Sequence, residues 1–376
     1  MDLITGRDPR TGRSIEVEIE DGLIASIHEG ANDETAWLSP GLIDLQINGY
    51  GGLDFNAEGL TPQVVIDLAR SVLGTGVTTF LPTIITQSEE RIAVALRAIA
   101  MARRMHRLVA HMIPGIHIEG PSISSEDGPR GAHPREHIRP PSIDEFERWQ
   151  EASGGLVRLV TLSPHFKGSA SYITALAARG VHVSIGHTHC TADEVRAAVD
   201  SGAAFSTHLG NGVADRLPRH PNMIWAQLAN DRLTAMLIAD GHHLPADTLQ
   251  VMLRAKGIDR AILVSDAVAL AGMGAGVYQT AIGGDVELSK QGRLSLRGTR
   301  YLAGAALPLK DGVANMVRNG TSLGDALKLA TENPGQLVKG RGTLQVGADA
   351  DLIRFHIDDQ GSLVMEKQLV QGTEWI

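Results

Sequence analysis

Eight short apolar runs rich in β-branched residues, spaced so that helical segments fit between them, constrain this chain more than any other feature. They read "LIDLQI" from Leu42, "VTTFL" from Val77, "IPGIHI" from Ile113, "VRLVTL" from Val157, "VHVSI" from Val181, "AAFST" from Ala203, "TAMLIA" from Thr234 and "AILVS" from Ala261. Such runs predict buried strands of a parallel sheet, because parallel strands need a crossover helix between them. The intervening segments supply it: "TPQVVIDLARSVL" from Thr61, "SEERIAVALRAIAMARRM" from Ser88, "SIDEFERWQEA" from Ser142 and "TADEVRAAVDSG" from Thr191. In the last, Thr191 is a predicted N-cap with Glu194 three residues on and Gly202 as the stop. Eight strands are the number that closes a TIM-type (β/α)8 barrel.

The two ends of the chain follow a different period. Residues 1–39 contain "SIEVEI" and "LIASIHE", and the tail contains "ADLIRFHI" and "LVMEKQLVQG", with no helix of useful length. The fold class is therefore α/β, a barrel over residues 40–339 with a small β-sandwich formed jointly by residues 1–39 and 340–376. "VYQTAIGGDVELSKQGRLSLRGTRYL", after the eighth run, reads as a further β-rich insertion. With 376 residues, 43% of them hydrophobic, the chain can bury a core of that size. No apolar run approaches the roughly 18 residues of a membrane span, and the start lacks a signal-peptide pattern. The single cysteine, Cys190, agrees with a reducing compartment, so a cytoplasmic location is expected. A formal net charge of −9 disfavours nucleic acid as the main partner.

What closes each strand is chemically distinctive. Gln46 and Asn48 follow the first, Glu119 the third, His165 the fourth, His187 and His189 the fifth, His208 the sixth, Asp240 and His243 the seventh, and Asp266 the eighth. In a closed parallel barrel these residues gather at the C-terminal mouth, where barrel enzymes place their chemistry. Gly120 and Pro121 turn the chain away after Glu119 and leave its carboxylate facing the centre. A lone histidine at a strand end is more often structural than a ligand. Glu119, His187 and His208 together, each from a different strand, offer three N/O ligands with a position left open, the pattern of a catalytic zinc-type site. His189 is a ligand by type, Cys190 is expected in packing, and His165 reads as structural. Asp266 either caps the following turn or serves as general base beside a metal.

These residues lie within the motifs "PGLIDLQINGYGG", "GIHIEGP", "GAHPREHIR", "VSIGHT", "THLGNG", "IADGHH", "LVSDA" and "GTLQVGADADLI". Together they resemble the amidohydrolase superfamily, and within it the N-acetylglucosamine-6-phosphate deacetylases, over nearly the whole chain. The resemblance puts Glu119, His187 and His208 on the metal ligands and Asp266 on the catalytic acid/base. It puts Ala132, His133, Asn211, Gly212, Asp240, His243, Leu302 and Gly304 on the substrate loops, and Arg219 on the phosphate-reading arginine that can reach a neighbouring subunit. It implies a homodimer and a small N-acetyl amino sugar phosphate as substrate.

The paired histidines usual after the first strand of that superfamily appear here as Gln46 and Asn48. Amides are poor ligands for a zinc-like ion, so the second metal position is expected to stay vacant and the chain to hold one divalent ion, zinc by ligand type. Other departures bear on the substrate. "LAGAALP" at Leu302 to Pro308 replaces a serine-rich loop, "SPH" replaces "APE" after the fourth strand, and "RHPNMIWAQLAND" is unlike the typical member. The expected chemistry is metal-assisted hydrolysis of an N-acetyl group. The alternatives are a related amidohydrolase acting on an unphosphorylated N-acyl sugar or another amide, and a non-catalytic sugar-binding barrel.

Overall fold

The structure, a computed structural model, describes residues 2–31, 33–280 and 284–375. Eight strands, Leu42–Ile47, Val77–Ile85, Ile116–Glu119, Val157–Leu162, His182–Ile185, Phe205–Ser206, Thr234–Ile238 and Ala261–Val264, lie side by side in chain order, and each adjacent pair is parallel. Parallel neighbours in chain order with helical crossovers make the (β/α)8 barrel expected from the eight runs. Helices begin where the capping residues predict. Thr61 and Ser142 accept from the backbone N–H groups of Val64 and Glu145, and Thr191 and Glu194 form a reciprocal capping box before Ala192–Asp200.

Alternation along the strands divides the core in two. Leu81, Leu159, Phe205, Met236, Ile238, Ile262 and Val264 fill the barrel interior with Ile43 and Leu45. Phe80, Ile118, Val160, Val183, Leu237 and Leu263 pack outward against the helices.

The first strand departs from this alternation. Its register against the second slips between Asp44, opposite Phe80, and Ile47, opposite Pro82, so three steps on one strand match two on the other. That is a β-bulge. Because of it, Leu45 packs in the barrel interior while the next residue, Gln46, sends its side chain to the carboxylates at the mouth.

The seam between the first and eighth strands is also irregular. An isolated bridge joins Ile47 to Ala267, whereas lower down the N–H groups of Ile43 and Leu263 bond to the carbonyls of Ala330 and Leu329. A loop segment, not a strand partner, fills that part of the gap.

The chain ends share one seven-stranded sheet. Asp2–Arg7, Ser14–Glu20, Leu23–Glu29 and Trp37–Pro40 join Leu352–Ile357, Leu363–Val370 and Thr373–Glu374, with Trp37–Pro40 between the N-terminal and C-terminal sets. Ile4, Val17, Ile19, Ile24, Leu38, Leu352 and Leu369 form its core. This is the extra β unit anticipated at the termini. The predicted insertion after the eighth strand is a three-stranded antiparallel sheet of Gly276–Thr280, Gly284–Leu288 and Leu294–Leu296; residues 281–283 of that segment lie outside the described residues. Among the described residues no helix is long and apolar enough to cross a membrane.

Candidate active site

Three strand-end residues sit in the left-handed backbone region, which side chains other than glycine seldom adopt: His187 at φ 46°, His208 at φ 26° and Asp266 at φ 52°. Glu119 is followed by Gly120 at φ 87°. Each of these turns the chain sharply at the end of its strand. The buried side chains converge as a result: Glu119 Oε1 lies 3.2 Å from His187 Nε2 and 3.1 Å from His208 Nε2, and the two nitrogens are 3.1 Å apart.

The protonation of this triangle argues for a cation. His187 Nδ1 is 2.8 Å from the carbonyl of Pro129, which only accepts, so that nitrogen carries a proton and Nε2 is the atom facing Glu119 and His208. Protons on both Nε2 atoms would satisfy the carboxylate but would set two N–H groups against each other. A metal resolves this, since tetrahedral coordination at bond lengths near 2.0–2.1 Å needs ligand atoms about 3.3 Å apart. One carboxylate and two imidazoles therefore fit a divalent ion of the zinc type.

Where a second ion would need ligands, the structure places amide donors. Gln46 Nε2 donates to Glu119 Oε1 at 3.0 Å and to Asp266 Oδ1 at 2.9 Å, and Asn48 Nδ2 donates to the same Asp266 oxygen at 2.8 Å. The amide nitrogens must point inward, because carboxylates offer only acceptors. Asp266 thus accepts side-chain bonds from the first strand instead of capping the turn that follows it. Burial, then the nearby Glu119 charge, pushes its carboxyl up to about 6. Glu119 moves the other way: burial would raise it, but the bonds from His187 and His208 outweigh that and hold it well below the usual range.

Around this centre, His133 is buried with Nδ1 2.8 Å from the Thr86 hydroxyl and Nε2 4.0 Å from Glu119 Oε2. With Glu119 and His187 it forms a group whose ligand atoms all lie within 4.8 Å of one another, so His133 stands beside the triangle, farther from the carboxylate than His208. Burial, then the proximity of His187, lowers its pKa to about 3 and keeps the ring neutral. Gly212 and Gly131 press on the His187 ring, where a Cβ would lie 2.9 Å from Nδ1 and 3.2 Å from Cε1 respectively. Asn211 Nδ2 donates to the carbonyl of His208 at 3.3 Å. Asp240 and His243 pair at 2.7 Å, and His243 is near enough to act on the Asp266 charge. Gly304, at φ 118°, packs on Val268, and Leu302 bridges to Ser295, which brings this loop beside the turn after Asp266.

Ala132, between Gly131 and His133, and Arg219 lie at the surface. Both are exposed, and the Arg219 guanidinium makes no hydrogen bond or ion pair among the described residues. His165 and His189 pack against each other with ring centres 4.3 Å apart and planes tilted by 45°, and bond to Ser163 and Ser124, both at 2.6 Å. Cys190 is buried and its thiol is pushed up to about 12 by burial. Thr86 and the carbonyl of Pro129 escaped the sequence reading because neither residue type advertises its role. Asp44 was legible as a carboxylate inside an apolar run, a signal left unused.

Residues 37–371 match the amidohydrolase family. The chain belongs to that family. As an amidohydrolase it is a metal-dependent hydrolase, and the Glu119, His187 and His208 cluster is its candidate metal site. It is 37% identical over 333 residues to N-acetylglucosamine-6-phosphate deacetylase of Bos taurus, across 84% of this chain and 78% of the relative. The crystal structure of N-acetyl-D-glucosamine-6-phosphate deacetylase from Mycobacterium smegmatis superposes with a TM-score of 0.89 at 28% identity, covering 100% of both chains. An aspartate-to-alanine variant of that enzyme in complex with N-acetyl-D-glucosamine-6-phosphate superposes at 0.86 and 28% identity, over 96% of this chain and 94% of the other.

Proposed function

We propose that this amidohydrolase removes the acetyl group of N-acetylglucosamine 6-phosphate, giving acetate and glucosamine 6-phosphate. The observation that carries the reading is the Glu119, His187 and His208 triangle, with edges of 3.1 to 3.2 Å, beside a buried Asp266 whose proton affinity is raised. Glu119, His187 and His208 would hold a single divalent ion, zinc by ligand type, which would polarise the acyl carbonyl and acidify water. The amides of Gln46 and Asn48 take the place of a second ion by donating to the carboxylates.

In this scheme the residues divide the work. Asp266 takes a proton from the attacking water as the C–O bond forms, then delivers it to the sugar nitrogen as the C–N bond breaks. His133, with Thr86 on Nδ1, presents Nε2–H to the acyl oxygen as negative charge develops there. Ala132, Asn211, Gly212, Asp240, His243, Leu302 and Gly304 line the sugar. Arg219 reads the phosphate; its exposed, unpartnered guanidinium suits a homodimer in which it serves the neighbouring site. We assign residues 40–339 to the hydrolase barrel and residues 1–39 with 340–376 to a β domain, and place the enzyme in the cytoplasm.

The second reading, an unphosphorylated N-acyl substrate, draws on the same exposure of Arg219 and on the apolar Leu302 to Pro308 loop. Acetate release from N-acetylglucosamine 6-phosphate, measured beside the unphosphorylated sugar, separates the two. The phosphorylated sugar should be strongly preferred. Arg219→Ala should cut kcat/KM for it by about ten- to a hundredfold and leave the unphosphorylated sugar nearly unaffected. Equal rates on both sugars would favour the second reading, and no acetate from either would end both.

A further inference from the structure

Asp44 is fully buried on the first barrel strand, yet it belongs to none of the groups assigned above. Its Oδ1 accepts two backbone N–H groups, those of Gln46 and Ser265, each at 3.2 Å, while Oδ2 has no partner. The two amides come from opposite sides of the barrel seam, where the first and eighth strands lack a regular ladder. One carboxylate oxygen therefore does there what a strand partner does elsewhere.

Both amides lead directly to reacting groups. Gln46 lies in the bulge that turns its side chain toward Glu119 and Asp266, and the Asp44 oxygen closes that bulge from within. Ser265 immediately precedes Asp266, whose φ of 52° persists only if the backbone on both sides is held. On the far side the holding groups are visible: Ala267 N–H bonds to Ser265 Oγ at 3.1 Å, and Ala267 O accepts from Asn48 and Gly49 at 2.8 and 3.0 Å. On the near side the Ser265 hydroxyl reaches the Gln46 carbonyl at 3.4 Å, and among the described residues the Ser265 N–H has only Asp44.

We infer that Asp44 is a positioning residue for the reaction: by accepting the Gln46 and Ser265 amides at the barrel seam, it fixes Asp266 and the amide that orients it. This rests on the role proposed for Asp266. Acceptor geometry, not charge, is what the role requires. Asparagine at this position keeps an oxygen where Oδ1 stands, whereas alanine leaves both amides without a partner.

Steady-state kinetics of acetate release, with elemental analysis and thermal unfolding of each protein, tests this on Asp44→Ala, Asp44→Asn and Asp266→Asn. Asp44→Ala should bind its metal as wild type does and lose kcat by between about tenfold and a hundredfold with KM within about twofold, the scale of a small misplacement of a reacting group. Asp44→Asn should restore kcat to within about threefold of wild type. In an Asp266→Asn background, Asp44→Ala should cost little more. Asp44→Ser, whose hydroxyl ends short of both amides, replaces Asp44→Ala with the same expectation if the latter does not fold. Wild-type kcat in Asp44→Ala, or equal loss in Asp44→Asn and Asp44→Ala, would overturn the inference; so would failure of both smaller variants to fold, which would make Asp44 a stability residue only. Normal turnover in Asp266→Asn would instead remove the reading on which the inference rests.

Discussion

His187, His208 and Asp266 each hold a left-handed backbone conformation that costs on the order of 1 to 3 kcal/mol when the residue is not glycine. A glycine would relieve that strain but could not bind an ion or move a proton. Stability is thus given up at the residues proposed to carry the chemistry, and neighbouring contacts must offset it. The Asp240–His243 pair is one such contact. Burial would raise the Asp240 carboxyl, but the bond from His243 and then the N–H groups of His243 and His242 outweigh it and hold it at about 2, against an ordinary value of 3.8. A carboxylate lowered on folding contributes stability that is complete above the unfolded value and is lost as pH falls through the folded one. The margin of wild type over Asp240→Asn in urea unfolding should be on the order of 2 kcal/mol at pH 6 and shrink between pH 4 and pH 2. A margin that stays constant with pH would show that the pair does not act this way.

At the scale of elements, the turn after the third strand illustrates how closely loop and site are matched. The Thr86 hydroxyl, which engages His133, lies 2.2 Å from where a Cβ on Gly120 would be. Gly120→Ala therefore combines a disallowed φ of 87° with a direct clash that drives Thr86 off the histidine. Thermal unfolding should show a loss of at least about 1 kcal/mol, and kcat should fall roughly tenfold. A variant with wild-type stability and turnover would mean that Thr86 and His133 are not coupled. The strands themselves were legible in the sequence because their apolar runs are short and bounded, and the site because its residues stand just past those runs. The bulge was not. In "LIDLQI" nothing local reveals that Leu45 and Gln46 both serve the inner side of the barrel, since that depends on the register of the second strand. Likewise no glycine marks the left-handed turns at His187 and His208; the surrounding structure imposes them.

Across the whole molecule, the end of the barrel opposite the site is tied to the terminal sheet by a buried group of charges. His111 Nε2 lies 2.7 Å from Asp351 Oδ2 at the foot of the third strand, and Arg341 donates to the carbonyl of His111 at 2.7 Å and to Thr79 Oγ1 at 3.0 Å. The Arg341 cation beside the His111, Asp349 and Asp351 cluster already supplies the positive charge a metal would bring. That leaves the cluster of histidines and Glu119 at the mouth as the candidate metal site. Elemental analysis of the purified protein tests that claim most directly. About one divalent ion per chain, zinc, should be found in wild type and be absent from His187→Ala and from His208→Ala; two tightly held ions per chain, or one that survives the loss of His208, would contradict it.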